Sequence, residues 1–342
     1  KEVSQFGILQ NFNLNLTGGG EKARFRISGS WDHQTGTIIE QRLDRLTTRL
    51  VLDYDVSDRI RFSTNFALTY TNNDKNYADL LGIAQKLAPN MAVYRQDAYG
   101  NDTGDFYIVN PSGDPYSGNF SSNKLSDVLS LGNPVAIAKN AWKKESTYRI
   151  TPDFTLKYEL LGKEADQHKL TLSADVDFDI YANSSPVWYP ASILSGSNNG
   201  SGYTSNTYNQ ATSAESNRFK IGAEGKLTFI PYLGEDWNVS ALVRYQMHTS
   251  KSNAQGNVTY ELPAGITSPN VIGAFKEFSS STGRAADENI LFNAHGAYKG
   301  RYMVDFSVRR DGSTKFGSDQ RWGNFPALSV RWNVSRSEEH TS

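Results

Sequence analysis

Apolar and polar residues alternate along most of the 342-residue chain. The clearest case runs from residue 60 to residue 70. Its apolar side carries Ile60, Phe62, Thr64, Phe66, Leu68 and Tyr70, and its polar side carries Arg61, Ser63, Asn65, Ala67 and Thr69. Side chains two positions apart share one side of an extended strand, so this period of two predicts a β-strand with one apolar and one polar face.

The same alternation recurs in about eleven stretches of roughly ten residues each, and short and long connections alternate between them. The short ones lie at 18–22, 55–59, 160–167, 230–236 and 299–301, and the long ones at 33–42, 71–147, 182–215, 249–287 and 311–324. Outer-membrane barrels have short periplasmic turns and long external loops. The sequence therefore predicts an all-β fold, a transmembrane antiparallel β-barrel wall of about eleven strands.

Aromatic residues occupy both ends of the apolar face. Beside the short turns are Tyr54, Tyr158, Phe229, Trp237, Tyr298 and Tyr302, and beside the long loops are Trp31, Tyr70, Tyr148, Phe219 and Tyr245. Two aromatic belts around an aliphatic band are typical of a wall that faces lipid. The opposite face is charged, with Arg61, Lys157, Asp175, Asp177, Asp179, Lys220, Glu224, Lys226, Arg244, Asp305 and Arg309. A face with so many charges cannot pack a dry core, so it is expected to line a hydrated barrel lumen or to contact a plug domain inside the barrel.

Composition changes this picture little. Hydrophobic residues are 38% of the chain and the mean hydropathy is −0.54, both low for a globular protein of this length, whereas aromatic residues reach 12%. The net charge of −1 gives no general attraction for nucleic acid. Cysteine is absent, which excludes disulfides and thiolate metal sites. A large soluble β-protein stays the alternative to a membrane barrel.

The long connection at 71–147 exceeds ordinary loops, so it should be functional or carry a small structure of its own. Helical periodicity appears within it at 77–86 and 135–142. We expect residues 1–335 to form one partial barrel domain. Residues 336–342 match the in-frame translation of a common sequencing adapter and are expected to be a non-native tail.

Catalytic and metal-binding spacings are absent from the sequence. The five histidines lack ligand-like spacing, and no nucleophile elbow, phosphate loop or dinucleotide motif occurs. We therefore predict no enzyme activity and no cofactor. Asp175, Asp177 and Asp179 share one strand face, which suits a hydrated wall or, alternatively, a cation site. Asp102 and Asp105 offer carboxylates for loop calcium but do not follow the EF-hand pattern.

A more specific motif follows residue 309. The segment Arg310-Asp-Gly-Ser-Thr-Lys-Phe-Gly317, with Arg321-Trp-Gly-Asn-Phe-Pro-Ala-Leu-Ser329 and Trp332, resembles the signature of SusC/RagA-like TonB-linked (TonB-dependent) outer-membrane proteins. Residues 16–38 resemble that family's S-G-G-x-E-K and Q-x-G-I-I segments. Arg310 directly precedes Asp311, and Thr314, Ala327 and Arg331 stand where Ser, Ser and Gly are usual. The signature loop comprises Arg310, Asp311, Gly312, Ser313, Phe316, Gly317, Trp322, Gly323, Phe325 and Pro326.

The resemblance implies a roughly 22-stranded barrel closed by a plug domain. This chain would supply an open half-barrel of it, without the plug. The first strand of this chain would run toward the periplasm, whereas barrels of this class normally begin with a strand that runs away from it. We therefore expect at least one strand to precede the chain. Alone, such a half-barrel should aggregate, since its edges and lipid face are exposed.

The function implied is active import of glycan or peptide oligomers across the Gram-negative outer membrane. TonB would supply energy through a segment outside the chain, and a SusD-like surface lipoprotein would help to capture substrate. Membrane lipid would be the remaining partner, and nucleic acid is not expected. The alternatives are a passive porin, a barrel-based surface adhesin, or a secreted soluble β-rich carbohydrate-binding protein.

Roles can be predicted for two sets of residues. Asp311, Gly312 and Ser313 have tight-turn chemistry, because Asp accepts backbone N–H groups and Gly permits positive φ. Phe316 and Trp322 are expected to pack the signature loop over the barrel mouth, which predicts a structural role for it. Loop aromatics that could contact a ligand, a partner or their own loop are Tyr94, Tyr99, Phe106, Tyr107, Tyr116, Trp188 and Tyr189.

Overall fold

The computed structural model describes residues 1–87, 89–107, 132–162, 164, 166–191, 209–271 and 276–334. Within them, eleven long strands form one antiparallel path in which every strand pairs with the next long strand along the chain. They are β1 (Leu9–Gly19), β2 (Ala23–Thr35), β3 (Arg42–Ser57), β4 (Ile60–Lys75), β7 (Trp142–Leu161), β8 (Lys169–Ser184), β10 (Gln210–Ile230), β11 (Trp237–Thr259), β12 (Lys276–Tyr298), β13 (Tyr302–Ser313) and β14 (Trp322–Trp332). The predicted all-β antiparallel fold is confirmed.

Strand register keeps the two faces of the sheet chemically distinct. Phe66 on β4 lies opposite Leu50 and Pro152 on its two neighbours. The next residue, Ala67, lies opposite Arg49 and Thr151. We call the side that carries Phe66 the apolar face and the side that carries Arg49 the polar face. A slip of one residue would exchange the faces, so the alternation itself fixes the register.

Aromatic rings pair across strands at both ends of the apolar face. Near the short turns, ring centroids are 4.7 Å apart for Trp237 and Tyr298, and 6.4 Å apart for Tyr302 and Trp332. Toward the long loops, the rings of Tyr70 and Tyr148 are 4.6 Å apart. Large apolar side chains between these pairs remain open, among them Leu328 at 69% exposure. No protein layer covers this face within the described residues, as expected for a surface that lipid would cover.

The strands are longer than roughly ten residues and continue into regions expected to be loops. β11 runs to Thr259 and β12 begins at Lys276, so most of the predicted loop at 249–287 is paired strand. β4, β8, β10, β13 and β14 likewise extend past the expected limits of the loops at 71–147, 182–215 and 311–324. The reason is that backbone pairing continues where Ser, Asn and Gln replace the apolar residues. We call this end of the sheet the long-loop end.

The insertion after β4 forms a small structure of its own, as expected from its length. Its elements are the helices α1 (Leu80–Lys86) and α2 (Pro134–Asn140) and the two-stranded sheet of β5 (Tyr94–Gln96) and β6 (Asp102–Phe106). Both predicted segments contain a helix, but α1 begins at Leu80 rather than at residue 77, and α2 ends at Asn140 before β7 begins at Trp142. The short strand β9 (Val187–Tyr189) pairs with β7 and β10 nearby.

The sheet stays open within the described residues, because β1 and β14 lie at opposite ends of the pairing order. Each therefore has an unpaired edge. None of the helices in the described part of the chain has the length and apolar character needed to cross a bilayer. The suspected tail at 336–342 lies outside the described residues.

Candidate functional site: the polar face, the signature loop and the outer platform

Ion pairs cross-link the polar face between strands. Asp179 on β8 accepts a hydrogen bond from Arg149 Nε on β7 at 2.9 Å and another from Arg218 Nη2 on β10 at 3.1 Å. The guanidinium of Arg218 also lies 5.2 Å from the ring centroid of Tyr181. Arg149 Nη2 donates to the second oxygen of the same carboxylate at 3.3 Å, so one carboxylate joins three strands.

The other two aspartates on this face of β8, Asp175 and Asp177, have different contacts. Asp175 accepts a hydrogen bond from Thr155 on β7. Asp177 lies beside Gly222, where a Cβ atom would be 2.1 Å from its Oδ1, so glycine leaves room for this carboxylate. No group of three or more His, Cys, Asp or Glu side chains is arranged to hold a metal ion in the described portion of the chain.

The signature loop differs from the tight turn expected at residues 311–313. All three residues lie in β13, and Gly312 has extended backbone without positive φ. Its role is steric, since a Cβ there would lie 2.7 Å from the Trp322 ring on β14. Asp311 accepts from Arg309 Nε at 2.8 Å rather than from a backbone N–H of a turn. The turn prediction was wrong because the sequence does not reveal that Trp322 lies across the glycine.

Two cation–aromatic contacts hold the signature loop to the sheet. Arg310 lies 4.9 Å from the Trp322 ring centroid on the apolar side, and Arg309 lies 5.6 Å from that of Phe325 on the polar side. Ser313 donates to Asp287 on β12, and Thr314 N donates to Ala286 O at 2.9 Å. These contacts stabilise the loop at its start, where β13 ends.

The remaining signature residues lie at the rim. Phe316 is 62% exposed, and Gly317 precedes a short 3-10 helix (Ser318–Gln320). Gly323 and Pro326 lie on β14, opposite Asp311 and Val308. A groove of about 690 Å³ lies between this loop and the polar face, and its lining includes Arg244, Gln246, Asn289, Arg309, Asp311 and Phe325. It combines amide, guanidinium and aromatic groups on one surface.

Alanine at Gly312 should destabilise the β13–β14 connection by about 1–3 kcal/mol, because the added methyl group forces the Trp322 ring away from Arg310. The rate of protease cleavage within residues 314–321 of the full-length protein measures this. Gly317→Ala is the matched control, since a Cβ there meets nothing within 4 Å. Equal cleavage in the two variants would refute the steric role of Gly312.

A compact cluster at the long-loop end, here called the outer platform, contains most of the buried side chains of the insertion together with Tyr189. Leu80 on α1 is 1% exposed, and Tyr189 on β9 is 4% exposed. Its other buried members are Ala136, Ile137, Ala138 and Ala141, with Ile38, Ile39, Tyr77, Ala78, Ile83 and Phe106 packed against them. The platform therefore joins the β2–β3 loop, both helices, β6 and β9.

The aromatic candidates for ligand contact divide by exposure. Trp188 and Tyr189 are buried, and the Tyr189 ring stacks on Tyr77 with centroids 4.2 Å apart. Burial, with a smaller contribution from Tyr77, raises the pKa of the Tyr189 hydroxyl. Both candidates pack the long-loop end and leave no free ring face for a ligand.

The other described aromatic candidates lie in or directly beside the β5–β6 hairpin. The rings of Tyr94 and Phe106 stack with centroids 5.3 Å apart, which leaves Tyr99 at the hairpin tip 91% exposed and Tyr107 39% exposed. Tyr116 lies outside the described residues. Tyr99 thus offers the freest ring of the six described candidates, and its contact with a ligand or partner stays a prediction.

Asn133 is a key residue that the sequence pattern did not single out. It caps α2 by accepting from Val135 N at 3.0 Å, and its Nδ2 donates to Val93 O and Tyr107 O across the hairpin. Asn followed by Pro134 at the first helical position was the available signal. This side chain links the hairpin to the platform.

The tip of the hairpin is closed by Asp97, whose Oδ1 accepts from the backbone N–H groups of Asn101 and Tyr99, both at 2.9 Å. Asp102 and Asp105 lie on β6 in the same hairpin. Hydrogen bonds from Asn101 lower the pKa of Asp97 below its ordinary value of 3.8. These hydrogen bonds stabilise the turn, and calcium binding by Asp102 and Asp105 stays a prediction.

The pKa shift predicts how the hairpin responds to acid. Because the folded pKa is lowered, the stabilisation is complete above the unfolded value and is lost as pH falls through the folded value. Proteolysis at the tip should therefore accelerate between about pH 5 and pH 2. Asp97→Asn keeps an acceptor that does not titrate, so its cleavage should lack this acid-dependent rise. A persistent rise in that variant would assign the effect to another group.

These features define a class of protein. An up-and-down antiparallel sheet, apolar with aromatic belts on one face, charged on the other and elaborated at one end, is the wall of a transmembrane β-barrel.

The comparisons with known proteins agree with that class. No family profile matches the chain. It is 23% identical over 98% of its length to TonB-dependent receptor P3 of Formosa agariphila, and 22% identical over 97% to TonB-dependent receptor SusC of Bacteroides thetaiotaomicron. It spans 31% and 32% of those relatives. The chain is thus SusC/RagA-like, as its motifs predicted.

Solved structures give the same fold. The chain superimposes on a structure of the RagAB peptide importer in the "closed-closed" state with a TM-score of 0.68 at 13% identity, covering 100% of this chain and 36% of that one. A second RagAB peptide transporter structure gives a TM-score of 0.67 at 13% identity, covering 98% and 35%. The described sheet therefore has the fold of a segment of such a barrel wall, and we call its polar face luminal below.

Proposed function

We propose that this chain forms part of the wall of an outer-membrane transporter that imports oligomeric nutrients with energy from TonB. The observation that carries the proposal is the division of one sheet into an apolar face and a cross-linked, charged luminal face. Asp179 with its two arginines exemplifies the latter. A wall that packed against a dry core would have to remove these charges from water, and pairing between them would offset that desolvation cost only in part.

The substrate class proposed is a polar oligomer, either a glycan or a peptide. The groove beside the signature loop supports this, because Arg309 provides hydrogen-bond donors, Gln246 provides an amide and Phe325 provides a ring. Amides and guanidinium groups bind hydroxyl or peptide groups, and aromatic rings contact sugar faces or apolar side chains. The structurally similar RagAB is a peptide importer, which favours peptides among the two.

Two partners are part of this proposal. A SusD-like lipoprotein would bind at the long-loop end, where the outer platform and the exposed Tyr99 provide a structured surface. TonB would act through parts of the protein outside this chain. No catalytic step or resident cofactor is included.

The test is uptake by cells that carry the full-length protein. Fluorescent oligosaccharides and peptides of matched mass are supplied to wild-type cells, to cells that lack this gene and to cells that lack TonB. We expect uptake of one probe class to require both genes. Uptake that needs this gene but persists without TonB would favour a passive porin, and surface retention without entry would favour an adhesin.

A further inference from the structure

β12 has a free edge at the long-loop end. β13 pairs with it only from Tyr298 to Asp287, whereas β11 pairs with its whole length up to Lys276. Residues 276–286 therefore have a strand neighbour on one side only within the described part of the chain. The eight residues 277–284 are all exposed. Such an edge is a template for another strand.

The direction of the backbone groups along this edge follows from the ladder. Ala286 N donates to Thr314 Oγ1, and Ala286 O accepts from Thr314 N, both on the β13 side. In an antiparallel strand the direction alternates from residue to residue. The N–H and C=O groups of Phe278, Ser280, Thr282 and Arg284 therefore face the free edge, and those of the residues between them face β11.

The edge lacks the features that protect exposed strands. Its pairing with β11 has no bulge, and residues 278–283 include neither proline nor charge. The side chains on its luminal side are also small. Ser279, Ser281 and Gly283 lie there, and their register partners on β11 are Gly256, Ala254 and Ser252. Long edges usually carry bulges, prolines or charges that prevent pairing. This one can accept a strand with bulky luminal side chains.

A second copy of the chain does not fit this edge. Antiparallel pairing of β12 with itself would invert one copy relative to the membrane. Parallel pairing would tilt the two barrel axes apart by about twice the usual strand tilt of 35–45°. A second copy is therefore not the expected occupant of this edge.

The positive charge beside this edge indicates that the docked segment is acidic. Lys251 and Arg284 are register partners on the outer side of the edge, both exposed, and neither has an ion-pair partner among the described residues. Lys276 lies on the same side farther along, and the acidic Glu277 lies on the luminal side. We propose that the free edge of β12 from Phe278 to Arg284 is a docking site for an extended, acidic segment of a partner protein, which adds to the sheet as one more strand.

The experiment measures binding of a defined peptide to the full-length protein in detergent. The probe is fluorescent acetyl-Thr-Val-Asp-Val-Asp-Val-Thr-amide, whose two carboxylates lie on one side when it is extended. Its counterpart has Lys in place of Asp. We expect the acidic probe to bind at least about tenfold more tightly than the basic one, and Arg284→Glu to reverse that order.

A proline substitution on β12 distinguishes binding by strand pairing at the edge from other modes of binding. Thr282→Pro removes an N–H that faces the free edge and leaves the bonds to β11 intact, so it should weaken binding about tenfold or more. Thr282→Val keeps the N–H and should bind as the wild type does. A probe N-methylated at alternate residues gives the same test on unaltered protein: one set of methyl groups should abolish binding and the other should not.

Several outcomes would overturn the proposal. They are no binding of either probe, equal binding to Thr282→Pro and wild type, and insensitivity to N-methylation. Hydrogen exchange gives another: slow exchange of the Ser280 and Thr282 amides in the purified protein alone would show that the chain covers its own edge. A cross-linked adduct between two copies through this edge would make the occupant a second copy.

Discussion

Arginine in place of Phe154 should destabilise the folded barrel by about 2–4 kcal/mol, whereas arginine at the next residue, Thr155, should change stability little. Phe154 lies on the apolar face near the middle of β7, opposite Thr64 and Val176. An arginine there would have to leave its guanidinium in hydrocarbon or deform the bilayer to reach water. At Thr155 the same side chain would lie beside Asp175 on the luminal face.

The measurement is unfolding of the full-length protein by urea in lipid vesicles, followed by the heat-modifiable mobility of folded barrels on gels. Phe154→Leu is a second control, because it removes the ring contact with Phe62, at 6.4 Å between centroids, without adding charge. Equally small losses for Phe154→Arg and Thr155→Arg would mean that neither face meets lipid, and a soluble β-protein would then fit better.

Alternation predicted the sheet so well because every strand pairs with the next long strand along the chain. In such a sheet the contacts of Phe66 with Leu50 and Pro152 follow from local pattern and chain order alone. The predicted strand ends fell short for a physical reason. The ladder bonds of β11 and β12 do not depend on side-chain polarity, so the ladder continues through Ser252 and Asn257 where the apolar pattern has ended.

The roles of individual residues were harder to predict, since they depend on contacts between distant segments. Gly312 suited a turn by composition, yet it lies in the paired strand β13, and the ring of Trp322, ten residues later, lies across it. Trp188 and Tyr189 suited ligand contact as loop aromatics, yet β9 places them against the ends of β7 and β10. The signature motif was enough to indicate a resemblance to SusC/RagA-like proteins, whereas the contacts of its residues could be described only from the structure.

The buried residues lie mainly outside the barrel wall, which has a consequence for binding. The strands have their apolar side chains open, so protein packing concentrates at the long-loop end, where Leu80 and Tyr189 are nearly inaccessible. A partner that binds there would meet a surface already fixed in shape, which lowers the entropy lost on association. Substitutions within the platform should therefore impair partner binding while the wall still folds.

Tyr189→Ala is the sharpest test of this separation. Removing a ring that is 4% exposed and stacked on Tyr77 should destabilise the platform by about 3–5 kcal/mol, because the cavity cannot fully collapse between α1, α2 and β9. Cleavage of residues 89–107 by added protease should accelerate, and capture of oligomers by intact cells should fall. The urea midpoint of the barrel itself should change little.

Two variants make that result specific. Tyr189→Phe keeps the ring and should behave like the wild type. Tyr99→Ala removes the same atoms from a side chain that is 91% exposed, so the platform should keep its protease resistance. If Tyr99→Ala nevertheless lowers oligomer capture, the hairpin tip contacts the substrate or the partner directly, and the platform serves to position it. If Tyr189→Ala leaves both cleavage and capture unchanged, the platform is not a packed unit and Asn133 alone holds the hairpin.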